Sequence, residues 1–353
     1  MSLNRLEVTS IRNIEAASLD LAPTINVIVG DNGSGKTSLL ESVYFLGSAR
    51  TFRGTNAYPL IRRGADFCRV RGQCLGGGEI AVFRDRAGVK RLSLSGGVIQ
   101  RTSELAASLP IVVLEPQTVN LLLGGPEYRR RFMNWGVFHV EPSFRAVWGD
   151  ASRCLRQRNQ LLKRLEGNTD ELEAWTAELA RLSELIHVLR ARYMESYCRR
   201  FYENVELTCM TDIALRYEPG WNTDLALSDV LRKEIQTDLR RGYTGKGFHR
   251  ADVKILVSGD EAAKTCSRGE LKALAWILTI TQGEDLNKDL VYLLDDLFSE
   301  LDSVHRAKIC QYFAQAGKQV LTTGMDRRAL LGCWADSCKA MFHVEHGIVT
   351  GEN

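Results

Sequence analysis

The feature that most constrains this 353-residue chain is one octapeptide, Gly30-Asp31-Asn32-Gly33-Ser34-Gly35-Lys36-Thr37. It fits G-x-x-x-x-G-K-[ST] throughout. An apolar run, Ile25 to Val29, precedes it, and Thr37 to Leu46 reads as a helix. Strand, glycine-rich loop and helix in that order build a phosphate cradle. The glycines let the backbone curl until successive N–H groups converge on an anion. The first helical turn adds the positive end of its dipole. Lys36 then reaches the β- and γ-phosphates, and the Thr37 hydroxyl is placed to ligate Mg²⁺. All eight residues are candidate ATP-binding residues, with Thr37 a candidate metal ligand.

A second element answers the first. Leu290-Val291-Tyr292-Leu293-Leu294-Asp295-Asp296 is a buried strand ending in two carboxylates, the pattern of a Walker B. Asp295 is the candidate metal ligand and Asp296 the candidate that orients or deprotonates the attacking water. Upstream, Cys266-Ser267-Arg268-Gly269-Glu270 opens a helix spanning Gly269 to Thr281, and downstream comes Ser299-Glu300-Leu301-Asp302. P-loop, S-x-G-E, apolar-D-D and S-x-L-D in this order resemble the ATP-binding-cassette ATPases. The resemblance implies that Ser267, acting in trans, and Gly269 meet the γ-phosphate of an ATP held by a second subunit, so that two subunits sandwich two nucleotides.

Composition sharpens the partner question. The net charge is only +3, which says little about nucleic acid. Its distribution says more. Arg50 to Arg101 holds 11 Lys/Arg against 3 Asp/Glu, a local +8, whereas Leu256 to Asp302 holds 4 against 10, a local −6. The basic stretch coincides with an expected β-meander over 67–100, in which Cys68 and Val70 share one face and Arg69 and Arg71 the other. Arg69, Arg71 and Arg84 are candidate DNA-phosphate contacts, with Arg129, Arg130 and Arg131 as further candidates. Short strands are expected at 3–9 and 17–21, around Ile11-Arg12-Asn13. Residues 143–205 read as an antiparallel helical hairpin, broken at Gly167-Asn168-Thr169-Asp170. Its stripe Trp175, Leu179, Leu182, Ile186, Leu189, Tyr193, Tyr197, Phe201 reads as core. A helix over Ser303 to Ala316 and a strand from Gln319 to Thr322 close the α/β part. No apolar run approaches the roughly 18 residues of a membrane span, and the start lacks a signal-peptide core. Nine cysteines without a C-x-x-C pair read as reduced, mostly buried thiols of a cytoplasmic protein, and His343 and His346 as strand or tail residues rather than ligands.

Split motifs with a short insert resemble the RecF family of bacterial DNA-repair ATPases, relatives of the SMC-type heads. Arg12-Asn13 resembles their nucleotide-side entry. Gly124-Gly125-Pro126-Glu127-Tyr128-Arg129-Arg130-Arg131-Phe132 resembles the family's G-G-P-x-x-R-R-x-F segment. Gly247-Phe248-His249-Arg250-Ala251-Asp252 resembles its G-P-H-R-x-D segment, with Phe248 in place of Pro. Glu270 stands where Gln is commoner. The resemblance implies an α/β fold: a P-loop ABC-type ATPase head with a mixed sheet, an antiparallel β subdomain and an inserted helical lobe. Expected boundaries are 1–115 for the N-terminal ATPase part, 116–245 for the helical lobe and 246–353 for the C-terminal ATPase part. It further implies an ATP-dependent homodimer that binds DNA at single-strand gaps and duplex junctions. Such a dimer works with RecO and RecR, and through them with RecA, in recombinational repair, replication restart and the SOS response. Its weak, DNA-stimulated ATPase is a switch. Arg12, Asn13 and Gln117, the Q-loop candidate, join the expected cofactor-binding set.

Three other readings fit the residues less well. A transporter cassette would carry a His after Gln319-Val320-Leu321-Thr322-Thr323-Gly324 and does not. A GTPase reading founders because Asn287-Lys288-Asp289 is followed by Leu290, not Asp. An inactive scaffold would not need Lys36, Thr37, Asp295 and Asp296 together.

Overall fold

The computed structural model describes residues 2–53, 60–164, 169–284, 286, 290–334 and 337–352. The chain begins with the hairpin β1 (Leu3–Ile11) and β2 (Ile14–Asp20), then β3 (Ile25–Val29), the P-loop and the helix Lys36–Ser48. The meander follows as β4 (Phe67–Cys74), β5 (Glu79–Asp85), β6 (Lys90–Leu94) and β7 (Gly97–Ile99), and then β8 (Ile111–Leu114). Three long helices come next, Pro126–Val140, Phe144–Lys163 and Thr169–Glu203. After them come β9 (Ile213–Glu218), β10 (Asp252–Val257) and β11 (Asp260–Glu261). The helix Arg268–Glu284 leads to β12 (Val291–Leu294), the helix Ser303–Ala316, β13 (Gln319–Gly324), β14 (Cys338–Glu345) and β15 (Ile348–Glu352).

The described chain divides into two compact units, 1–118 with 272–353, and 119–271. The first holds two six-stranded sheets. One runs β15-β14-β3-β13-β12-β8, with all pairs parallel except β15 on β14. Every residue of β3, β12 and β13 is buried, as a parallel strand covered on both faces requires. The other sheet, β2-β1-β4-β5-β6-β7, is antiparallel throughout. Its burial alternates residue by residue along β4, so one face is core and the other solvent. Leu3, Leu6, Val8, Cys68, Val70, Ile80 and Val82 from that core face meet Leu39, Leu40, Val43 and Leu46 of the Lys36–Ser48 helix in one apolar cluster. Gln319, itself buried, clasps the start of the chain. It accepts the Leu3 N–H and donates to the Leu3 and Ala22 carbonyls.

The second unit is helical with an addition the sequence did not announce. β9, β10 and β11 form a three-stranded antiparallel sheet. Because β10 pairs with β9, residues 246–271 belong to this unit. The expected boundary at 245 therefore moves to Leu271. The expected helical hairpin is present as the Phe144–Lys163 and Thr169–Glu203 helices. Gly167-Asn168, read as its break, lie outside the described residues, as do Asn287, Lys288 and Asp289. Leu179, Leu182, Ile186, Tyr193, Tyr197 and Phe201 of the stripe are buried core. Four cysteines (68, 74, 154, 310) are fully buried and Cys209 is exposed, so burial is less general than expected.

Candidate active site

β3 delivers the P-loop and ends against β14, its parallel neighbour. Here glycine is required twice. At Gly30 a Cβ would stand 2.2 Å from the Val344 carbonyl oxygen of β14. At Gly35 the φ of +125° is a conformation L side chains rarely adopt, and a Cβ would meet the Asn13 amide at about 3 Å. The loop is braced from two sides. Asn13 donates to the Ser34 carbonyl at 2.8 Å and accepts from Ser38 Oγ at 3.0 Å. Gly347, in the turn between β14 and β15, donates its N–H to the same Ser34 carbonyl at 2.8 Å. Asn13 thus supports the loop backbone. Arg12 is engaged elsewhere: it forks onto the fully buried Glu41 carboxylate at 2.8 and 2.9 Å. Glu41 also accepts from Thr51 Oγ1.

Lys36 is nearly buried and folds back over its own loop, donating to the Gly30 and Asp31 carbonyls at 2.7 and 2.8 Å. Burial lowers its pKa, opposed by the nearby carboxylates of Asp296, Asp295 and Asp31. Thr37 Oγ1 donates to Asp295 Oδ1 at 3.0 Å, so the two candidate metal ligands already touch. Asp295 is buried and desolvation raises its pKa, against hydrogen bonds from Thr323 and Thr37. Its own N–H donates to the Leu114 carbonyl at the end of β8.

Thr323 is the residue sequence reasoning passed over. It lies at the end of β13, in the segment scanned above for a His. Its hydroxyl donates to Asp295 Oδ1 at 2.9 Å and accepts the Asp296 N–H at 2.9 Å. One side chain therefore fixes both carboxylate residues. Asp296 sits at φ 55°, a left-handed conformation that costs a non-glycine residue about 1 kcal/mol or more. Arg53 and Glu115 complete the surroundings. Arg53 Nη2 is 3.9 Å from Asp295 Oδ2. Burial and the Asp295 charge push Glu115 up to about 7. Gln117, the Q-loop candidate, is exposed in the turn Pro116–Val119. Glu115, two positions earlier, is the residue that feels the Asp295 charge.

The donor set fits a nucleotide triphosphate with a divalent cation. Ser34 Oγ is buried without a hydrogen-bond partner among the described residues, an orphan that a phosphate oxygen would satisfy. Lys36 holds only carbonyls, which a phosphate would outcompete. Thr37 and Asp295 would hold the cation.

In the second unit, Ser267 and Glu270 form a reciprocal cap. The Ser267 N–H donates to Glu270 Oε2 at 2.8 Å and the Glu270 N–H to Ser267 Oγ at 3.4 Å. Glu270 thus does the capping work a Gln could do, with an added charge. Ser267, Gly269 and Glu270 are exposed.

The candidate DNA arginines separate into four groups. Arg69 and Arg71 share the solvent face of the meander, as expected. Arg84 does not join them: its cross-strand partner is Cys68, so it lies on the core face, half-buried. Arg71 is paired with Glu79 at 2.8 Å. Arg129 and Arg130 are structural. Arg129 forks onto Asp252 at 2.7 and 3.0 Å and donates to the Gly124 carbonyl, and Arg130 donates to the Ala251 carbonyl. The G-G-P-E-Y-R-R-R-F and G-F-H-R-A-D segments are therefore two halves of one internal joint. Phe248, in the Pro position, is buried edge-on against Trp148 at 5.1 Å. Of Arg129, Arg130 and Arg131, only Arg131 is exposed, over the Tyr128 ring.

The fold and this site define a class: residues 2–350 match the family model described as RecF/RecN/SMC N terminal domain. An SMC head domain from Pyrococcus furiosus, solved with an extended coiled coil and the C-terminal domain of ScpA, superposes with a TM-score of 0.59 at 15% identity, covering 99% of this chain and 96% of that one. A solved structure described as the recombination mediator protein RecF-ATP in the RecFOR pathway superposes with a TM-score of 0.87 at 24% identity, covering 100% and 98%. A "DNA replication and repair protein RecF" from Pseudomonas paraeruginosa is 39% identical over 99% of this chain and 98% of its own length. The chain belongs to the RecF family. Among the described residues no helix is long and apolar enough to cross a membrane.

Proposed function

We propose that this chain is an ATP-operated DNA-binding switch of replication and recombinational repair. The observation that carries the reading is the linkage Thr37–Asp295–Thr323–Asp296, closed to hydrogen-bond distance beside a P-loop whose lysine still rests on its own carbonyls. The full-length relatives named for replication and repair, and the ATP complex of a protein sharing the fold, support it.

In this reading ATP draws Lys36 off the loop carbonyls onto the β- and γ-phosphates. Thr37 and Asp295 would hold Mg²⁺, which would supply positive charge against the phosphates. Asp296 orients and deprotonates the water aligned with the γ-phosphorus. Ser267 and Gly269 of the partner subunit supply donors to the same phosphate, so the homodimer closes only over nucleotide. Closure clamps DNA at gaps and junctions, and slow hydrolysis reopens it. RecO and RecR are the proposed partners, acting to place RecA.

Sizing the protein with and without ATP·Mg²⁺ and DNA tests this. Wild type should dimerise with ATP. Lys36→Met should stay monomeric. Asp296→Asn should dimerise but hydrolyse at least about 100-fold more slowly. Wild-type dimerisation in Lys36→Met would overturn the P-loop assignment, and loss of ATP binding in Asp296→Asn would mean the two aspartates are exchanged.

A further inference from the structure

The solvent face of the meander is not uniform. The register sets Arg69, Phe83 and Arg91 side by side across β4, β5 and β6, with Phe67 beside them at the start of β4. Phe67 and Phe83 stack with ring centroids 5.3 Å apart and planes at 29°. The Arg91 guanidinium lies 5.5 Å from the Phe83 centroid. Phe67 is 39% exposed, at the solvent end of the pair. Arg69 and Arg91 are exposed and have no acidic partner among the described residues. Asp85, across from Phe67, accepts the Val89 N–H and so serves the next turn.

The other end of the same face contrasts with it. There Arg71 pairs with Glu79 and Glu7, and Arg5 with Glu7 and Asp20. Its charges are internally neutralised and it carries no aromatic ring. Only the Phe67 end combines open aromatic surface with unneutralised guanidinium groups.

We infer that this end of the sheet is a stacking platform for unpaired bases of single-stranded DNA. Exposed rings flanked by free cations are what a single strand recognises: each base has a π-face to lay on a ring, and the cations take the phosphates. A duplex has its bases stacked and shielded and could use only the cations. The inference rests on the proposed DNA binding and narrows it to the single-stranded side of a gap.

The test uses the full chain with ATP·Mg²⁺ and three labelled probes: oligothymidine, an abasic strand of equal length, and a blunt duplex. Phe67→Ala should weaken oligothymidine binding about tenfold and leave the abasic strand and duplex unchanged. Phe67→Tyr should restore it, since it keeps the ring. Equal losses on all three probes, or none on oligothymidine, would overturn the platform while leaving duplex clamping intact. A wild type that binds none of the probes would remove both this inference and the function beneath it.

Discussion

Two populations of arginine run through the chain. In the first, Arg69 and Arg91 stand exposed on a sheet face with no acidic partner among the described residues. In the second, arginines are building material. Arg158, fully buried, donates to Asp238, Thr244 and Thr176 at 2.6 to 3.0 Å. Arg190, also fully buried, holds Asn134 and the Phe248 carbonyl over the Trp148 ring, and burial lowers it to about 10. Both populations are equally conspicuous as letters. The difference teaches that a run of basic residues measures neither surface nor nucleic acid until its register and burial are known.

The sharpest way to break that contrast is to empty a buried guanidinium. Arg158→Met strands the Asp238 carboxylate in a dry site and should cost about 3–5 kcal/mol by chemical unfolding. A loss under 1 kcal/mol would mean the network is not structural. A smaller effect follows from His249, which donates from Nε2 to the Thr244 carbonyl inside the same core. Burial chiefly, with Arg250 and Arg130, lowers its pKa to about 4. The unfolded chain therefore binds this proton first. The contribution is fully present above pH 6.5 and is lost as pH falls toward 4. Between pH 7.5 and 5 the loss should be about 2 kcal/mol, and His249→Gln should flatten that part of the stability profile. The smallest effects separate the two faces of the meander. Arg69→Ser should leave stability within about 0.5 kcal/mol but reduce the salt dependence of DNA binding by about one counterion. Arg84→Ser, on the core face, should lower stability and leave the salt slope unchanged. Equal slopes for both variants would erase the distinction.

The motifs were legible because each is local. The P-loop, the strand before Asp295 and the meander turns depend on neighbours a few positions away, and their strands match the expected segments closely. What was illegible depends on pairing across the chain. β9 alternates weakly, and nothing near it signals that β10 will join it. Thr323 matters only because parallel pairing of β12 with β13 brings its hydroxyl to Asp295 and Asp296. Glu41 reads as an ordinary helix acid until Arg12 reaches it from β1's end. Gln117 looked right by type, whereas the fold puts Glu115 within reach of Asp295's charge.

The brace behind the P-loop has a consequence for synthesis. Gly30 packs on Val344, and Ser34 receives the Gly347 N–H, yet almost the whole chain lies between loop and brace. A ribosome releases the complete G-x-x-x-x-G-K-T motif, with Asn13 before it, well ahead of the support from Val344 and Gly347. Until β14 and the turn after it emerge, the nascent polypeptide holds a nucleotide motif without the wall that shapes it. A polypeptide cut short before β14 should therefore bind ATP poorly, although its G-x-x-x-x-G-K-T motif is intact.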